Sequence, residues 1–255
     1  MGNDASILRV LRAFDGDPAA DLAQEEALVR RAAIDGPALL LYGWNRPVLV
    51  LGYGQDPATV DRAACGALGV PVLRRITGGT GVLHGEDLAA SLILPPEHPW
   101  APSIPGLYLR FLTAIDQALS GLGISLQRPP PPPGPRGARS PICFEDDRGE
   151  TLWTAGRKSV GCAQARRRDG VLIHGMILRG VDATLQAAVY GTDPSRILDA
   201  LGAVATPPPP RAVMADAVTD AIASALGLAP VAVDAPGLPE DLRTRYSDPR
   251  WAPCG

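Results

Sequence analysis

The chain has 255 residues, a formal net charge of −3 and 46% hydrophobic residues. That is ordinary globular composition, which excludes disordered and fibrous classes, and the mild acidity argues against nucleic acid or an anionic membrane as the main partner. The length fits a single domain over residues 1–255 with enough chain for a sizeable core. Of the 24 basic residues only one, Lys158, is a lysine, so the question is why that position differs from the rest.

The first element is a helix over residues 17–33, opened by Asp17-Pro18, with Leu22, Leu28 and Val29 apolar and Glu25, Glu26, Arg30 and Arg31 on a polar face. Residues 38–44 and 47–53 read as two apolar strands joined by a turn at Asn45-Arg46. A short helix over 57–68 and a strand over 70–76 lead into the Gly-rich loop Thr77-Gly78-Gly79-Thr80-Gly81. A strand over 87–94 is stopped by Pro95-Pro96, and a second long helix covers 105–122. The proline run at 129–133 opens a stiff surface loop near 129–139. Beyond it a meander is expected, with Leu152-Trp153 followed by strands at 158–166 and 171–178. From about residue 182 the chain reads as helical, at 183–189, 194–201 and 214–226, with a further turn or two over 239–246. The fold class is therefore α+β, a mixed, largely antiparallel sheet flanked by helices.

The four cysteines (Cys65, Cys143, Cys162, Cys254) form no C-x-x-C pair, and with His84, His98 and His174 the only histidines no metal site is signalled. Reduced thiols fit a cytoplasmic protein. No apolar run reaches the roughly 18 residues of a membrane span.

Three segments carry candidate chemistry. In Arg74-Arg75-Ile76-Thr77-Gly78-Gly79-Thr80-Gly81-Val82-Leu83-His84, paired guanidiniums beside a Gly-rich turn are suited to an anion, or to holding the turn itself. The spacing matches neither standard nucleotide loop. In Gly156-Arg157-Lys158-Ser159-Val160-Gly161-Cys162-Ala163-Gln164, strand alternation sets Lys158, Val160 and Cys162 on one face. An ammonium there is a compact charge for a carbonyl or carboxyl; a leftover surface lysine is the plain alternative. Cys143, in Ser140-Pro141-Ile142-Cys143-Phe144, is either a small buried residue or a nucleophile, and His174 is either a core histidine or a cleft residue.

Together and in this order, these segments resemble the lipoate–protein ligase and octanoyltransferase family, whose members share a biotin/lipoate ligase-like catalytic domain. The resemblance runs from Leu39-Leu40-Leu41-Tyr42-Gly43-Trp44 and Leu51-Gly52-Tyr53-Gly54-Gln55 to about Leu178. It implies transfer of an octanoyl or lipoyl group to a lysine of a lipoyl carrier domain, the donor being an acyl carrier protein or free lipoate. Cys143 and Lys158 are implied as catalytic residues, and Arg74, Arg75, Thr77, Gly78, Gly79, His84, Ser91, Gly161, Ala163 and His174 as substrate-binding ones. Where the family's ligases continue after the loop histidine with Asp and two Asn, this chain has Gly85-Glu86-Asp87-Leu88, closer to the cysteine-dependent octanoyltransferases, whose nucleophile motif Cys143-Phe144 matches. Two departures stand out: Cys162 replaces the usual Ser or Thr, and Ile173 stands where transferases commonly have Gln. A transferase needs no cofactor. The alternative is an ATP- and Mg2+-dependent ligase forming lipoyl-adenylate in the same pocket, and a third reading is a non-catalytic accessory subunit that binds the acyl group or carrier.

Overall fold

The computed structural model describes residues 7–129, 140, 142, 151–248 and 251. Cys143, most of the 129–139 loop and Cys254 lie outside the described residues.

A strand that the sequence reading did not assign comes first: β1 (Ile7–Phe14) buries Leu8, Val10 and Leu11, with Arg9 and Arg12 interrupting the pattern. Helix α1 (Pro18–Asp35) follows, its cap Asp17 accepting from Ala19 N, with Pro18 preset for the first turn. Next come β2 (Ala38–Gly43) and β3 (Val48–Leu51), every residue of both buried. Joined at Asn45-Arg46 as expected, the two strands do not pair with each other. Strands apolar on both sides need cover on both faces, which a two-stranded ribbon cannot supply, so the chain turns a corner at Asn45-Arg46 and the two enter different sheets. The helix expected over 57–68 divides into a 3-10 turn (Pro57–Thr59) and α2 (Arg62–Ala67), the second capped by Asp61, which accepts from Ala64 N at 2.8 Å. β4 is short (Val72–Arg74), and β5 (Val82–His84) and β6 (Asp87–Leu94) follow the Gly-rich loop. After α3 (Ile104–Gly121), the meander forms as β7 (Thr151–Thr154), β8 (Arg157–Arg166) and β9 (Val171–Leu178). The final part holds α4 (Ala183–Tyr190), α5 (Pro194–Ala200) and α6 (Arg211–Leu226), then a second unassigned strand, β10 (Ala229–Ala232), and α7 (Glu240–Ser247).

The main sheet has seven strands in the order β10-β1-β2-β6-β9-β8-β7, antiparallel from β2 onward and parallel at β10–β1–β2; a three-stranded sheet, β4-β3-β5, lies apart from it. Leu41, Leu92, Val160, Ile173 and Ile177 share one core with α3 and α6. On the opposite face Leu40, Tyr42, Ile93 and Leu172 pack on α1, which is itself backed by Leu242 and Tyr246 of α7. Further along that face Met176 and Leu178 meet the small sheet, α4 and α5. None of the described helices is long and apolar enough to cross a membrane.

Candidate active site

The Gly-rich loop is built by its two arginines. Arg74 Nη1 donates to the carbonyls of Gly52 and Tyr53 at 2.5 and 3.0 Å. Arg75 donates from Nε to Thr77 Oγ1, from Nη1 to Val50 O and from Nη2 to the carbonyls of Gly78 and Thr80, all within 2.8 to 3.0 Å. Both side chains are buried, at 1% and 2% exposure. Rather than standing open to an anion, the guanidiniums satisfy carbonyls that a tight loop would otherwise leave unpaired. The loop also presses onto the end of β3: a Cβ at Gly52 would stand 2.0 Å from the carbonyl oxygen of Gly79, itself at φ +87°. Only glycine fits at position 52, and the positive φ of Gly79 favours glycine there.

Beneath this loop one row crosses the main sheet. Tyr42 of β2 pairs with Ala89 of β6, Ala89 with Met176 of β9, and Met176 with Gly161 of β8. Arg75, Val82, His84, Ala163 and His174 close a cavity of about 20 Å³ over that row. Ala89, Gly161 and Ala163 keep its floor low, whereas Val160, beside Gly161, turns to the opposite core. Gly175 is fixed by contact from behind, since a Cβ there would lie 2.8 Å from the Phe111 ring. Cys162 packs on the α3 core and also lines the cavity.

Lys158 lies three residues before Gly161 on β8 and is 3% exposed, which removes the solvated-surface reading. A register shift in the β7–β8 pairing, where Leu152 opposes Val160 but Trp153 opposes Lys158, breaks the alternation between Lys158 and Val160. The expectation that Lys158 shares a face with Val160 and Cys162 through simple period two is thereby corrected, while Val160 and Cys162 both face the α3 core. The backbone of Lys158 also bridges to Leu201, and Ile142, the residue before Cys143, bridges to Gly81 of the Gly-rich loop.

A buried polar chain runs behind the cavity. Glu25, on α1 and 0% exposed, accepts from Ser91 Oγ at 2.5 Å and from Tyr42 Oη at 3.0 Å, with His174 Nδ1 at 3.3 Å. A carboxylate only accepts, so Nδ1 carries the proton and Nε2 is left to accept from the Thr77 hydroxyl at 3.1 Å. That hydroxyl accepts in turn from Arg75 Nε. The direction of donation is thus Arg75 to Thr77 to His174 to Glu25. Burial pushes the His174 pKa below its usual value, with Glu25 opposing only in part. Burial alone would raise Glu25, but His174 and the hydroxyls of Ser91 and Tyr42 outweigh it, and the carboxyl lies below its usual range. One turn earlier on α1, Asp21 accepts from Trp44 Nε1 at 2.8 Å, and burial lifts its pKa to about 6. Ser91, read as substrate-binding, therefore meets Glu25 in the floor.

Asp21, Glu25 and Tyr42 escaped the sequence reading: Glu25 was placed on the polar face of α1, and Asp21 and Tyr42 were given no role. Their signal was spacing: Asp21, Glu25 and Leu28 recur at i, i+4 and i+7, placing two carboxylates on an apolar stripe.

This helix-flanked mixed sheet is a fold also seen in solved lipoate ligases. The bi-partite lipoate protein ligase of Thermoplasma acidophilum, solved with its E2 lipoyl domain, superposes with a TM-score of 0.76 at 20% identity, over 97% of this chain and 96% of that one. The lipoyl protein ligase A/B catalytic domain model matches residues 17–204, and the chain belongs to that family. Among curated relatives, the octanoyltransferase LipM of Macrococcus caseolyticus is 32% identical over 176 residues, 65% of this chain and 63% of that protein. The LipM of Carboxydothermus hydrogenoformans is 37% identical over 169 residues, 64% and 62% of the two lengths. The match thus spans just under two thirds of either relative's length.

Proposed function

We propose that this chain is a single-domain cytoplasmic acyltransferase that moves an octanoyl or lipoyl group from an acyl carrier protein to a lysine of a lipoyl carrier domain. The observation that carries this reading is the row across the sheet from Tyr42 to Gly161, with small residues Ala89, Gly161 and Ala163 in its floor and the buried Lys158 three residues before Gly161 on the same strand. The kinship with octanoyltransferases supports it. The tail lies along the row with its carbonyl toward Lys158, and Met176 and the loop give way to admit it, since about 20 Å³ holds a water rather than a chain. Cys143 thiolate attacks the donor thioester carbonyl, and the carrier thiolate leaves with a proton. Lys158 and loop N–H groups stabilise the oxyanion, and the acceptor lysine amine then displaces Cys143 to form the amide. Arg74, Arg75, Thr77, Gly78 and Gly79 shape the roof of the channel, and His84, Gly161, Ala163 and His174 line it. Neither step uses ATP.

The test is intact mass of an apo lipoyl domain incubated with octanoyl-carrier protein. The expected result is a gain of one octanoyl group on the acceptor lysine, passing through an octanoyl adduct that requires Cys143 and no nucleotide. Full activity in Cys143→Ala overturns the cysteine mechanism. The likeness in fold to a bi-partite lipoate ligase supports a second reading, an ATP- and Mg2+-dependent ligase, and pyrophosphate release on adding lipoate and ATP selects it.

A further inference from the structure

We propose that His84 is the end wall of the acyl channel and sets the longest chain the protein accepts; the inference rests on the acyl-transfer reading above. The imidazole belongs to two cavities. On one side it closes the row over the sheet, next to Tyr42 and Ala89. On the other it lines an open groove of about 230 Å³, shared with Trp44, Pro47, Leu83, Leu178 and Leu185. The row runs from Gly161 on β8 across β9 and β6 to Tyr42 on β2, three strand steps or about 14 Å. His84, whose ring meets that of Trp44 next to Tyr42, therefore stands at the β2 end, far from β8, where the last carbons of a chain arrive.

This wall is held on several sides. His84 is 4% exposed, with Nδ1 2.6 Å from Oδ2 of the buried Asp87 and its ring 4.9 Å from that of Trp44. Arg211, the first residue of α6, donates to the carbonyls of Trp44, Gly85 and Asp87 at 3.2, 3.4 and 3.0 Å, fixing both ends of the strand corner that carries the ring. A chain that fills the row stops at an imidazole that cannot yield, although a groove with Leu83, Leu178 and Leu185 in its wall and charged residues at its rim lies directly behind it. Truncating the ring joins the two cavities and opens that space to additional carbons.

The experiment compares octanoyl-, decanoyl- and dodecanoyl-carrier thioesters with the unaltered protein, His84→Ala, and His84→Ala combined with Leu185→Trp. In His84→Ala the dodecanoyl-to-octanoyl ratio of kcat/KM should rise at least tenfold, since each added buried methylene is worth about fourfold. Refilling the groove with Leu185→Trp should reverse the rise. The free C8, C10 and C12 acids, scored by thermal shift, should follow the same order without turnover. Lack of transfer by the unaltered protein thus counts against the transferase reading alone, and the binding series still tests the wall. His84→Val, which suits a strand, replaces the alanine variant if that variant melts early. An unchanged length preference, or a gain that persists in the double variant, overturns the proposal.

Discussion

Lys158 supplies the only side-chain ammonium in the chain, and it is buried in a protein whose other basic residues are all arginines. A guanidinium is planar and always charged, with a fixed fork of donors, so it does not replace a compact ammonium at a developing oxyanion. Lys158→Arg should lower transfer by about a hundredfold or more, with far-UV circular dichroism unchanged; near-normal turnover would remove the residue from the mechanism. Glu25 makes a different kind of demand. Replacing it with alanine strands the hydroxyls of Tyr42 and Ser91 and the Nδ1–H of His174 in a dry interior. Each unpaired buried group costs about 1 to 3 kcal/mol, so Glu25→Ala should be among the most destabilising single changes on α1, measurable as a drop in denaturant midpoint. Lys158 could be singled out from the sequence because composition made it unique. Glu25 could not, because a glutamate in a charged helix looks like any other until the strand carrying Tyr42 and Ser91 is laid against it.

Elements were legible where one strong period or a stop signal defined them. Both 18-residue helices were, because prolines marked their starts: Asp17-Pro18 for α1 and Pro105 for α3. The meander was legible too, since its turns at Gly156 and Asp169-Gly170 are local chemistry. β1 was not, because Arg9 and Arg12 interrupt a strand whose burial depends on β2 and β10, one of them more than 200 residues away. β10 is four exposed residues including a proline, and only its parallel pairing with β1 makes it a strand. The glycine loop shows how an element constrains chemistry. In Gly52→Ala the new Cβ would collide with Gly79 O, so the loop must shift away from β3. The expected outcome is retained secondary structure with transfer reduced at least tenfold. Retained activity would mean that the loop position is not critical.

At the scale of the molecule, two buried acid–base features of α1 pull stability in opposite directions with pH. His174 is held neutral by burial, so the unfolded chain takes up its proton first, and stability falls as pH drops below about 6.5. Glu25, with its lowered pKa, adds to that loss further into acid. Asp21 works the other way: its pKa is raised to about 6, so the folded state takes up the proton first and stability is gained as pH falls from about 6 toward 4. Denaturant unfolding at pH 7, 6 and 5 should therefore show a steeper acid loss in Asp21→Asn and a shallower one in His174→Gln. Equal slopes in the two variants would refute the assignment. The same scale accounts for what the sequence left hidden in the site, since the Arg75–Thr77–His174–Glu25 chain draws on the loop, β9 and α1.

The row from Tyr42 to Gly161 depends on every strand keeping its register. Successive side chains point to opposite faces, so a one-residue slip exchanges the two faces of a strand. The turn between β8 and β9 sets that register. It is seated on α1, where Ala33 N donates to Asp169 O at 3.0 Å and a Cβ on Gly170 would lie 2.7 Å from both Ala32 Cβ and Val29 O. One extra residue between Arg166 and Val171 would turn Val160 toward the cavity and Gly161 and Ala163 toward α3. That short connection is a measuring element: its length, more than its composition, decides which face of β8 the substrate meets.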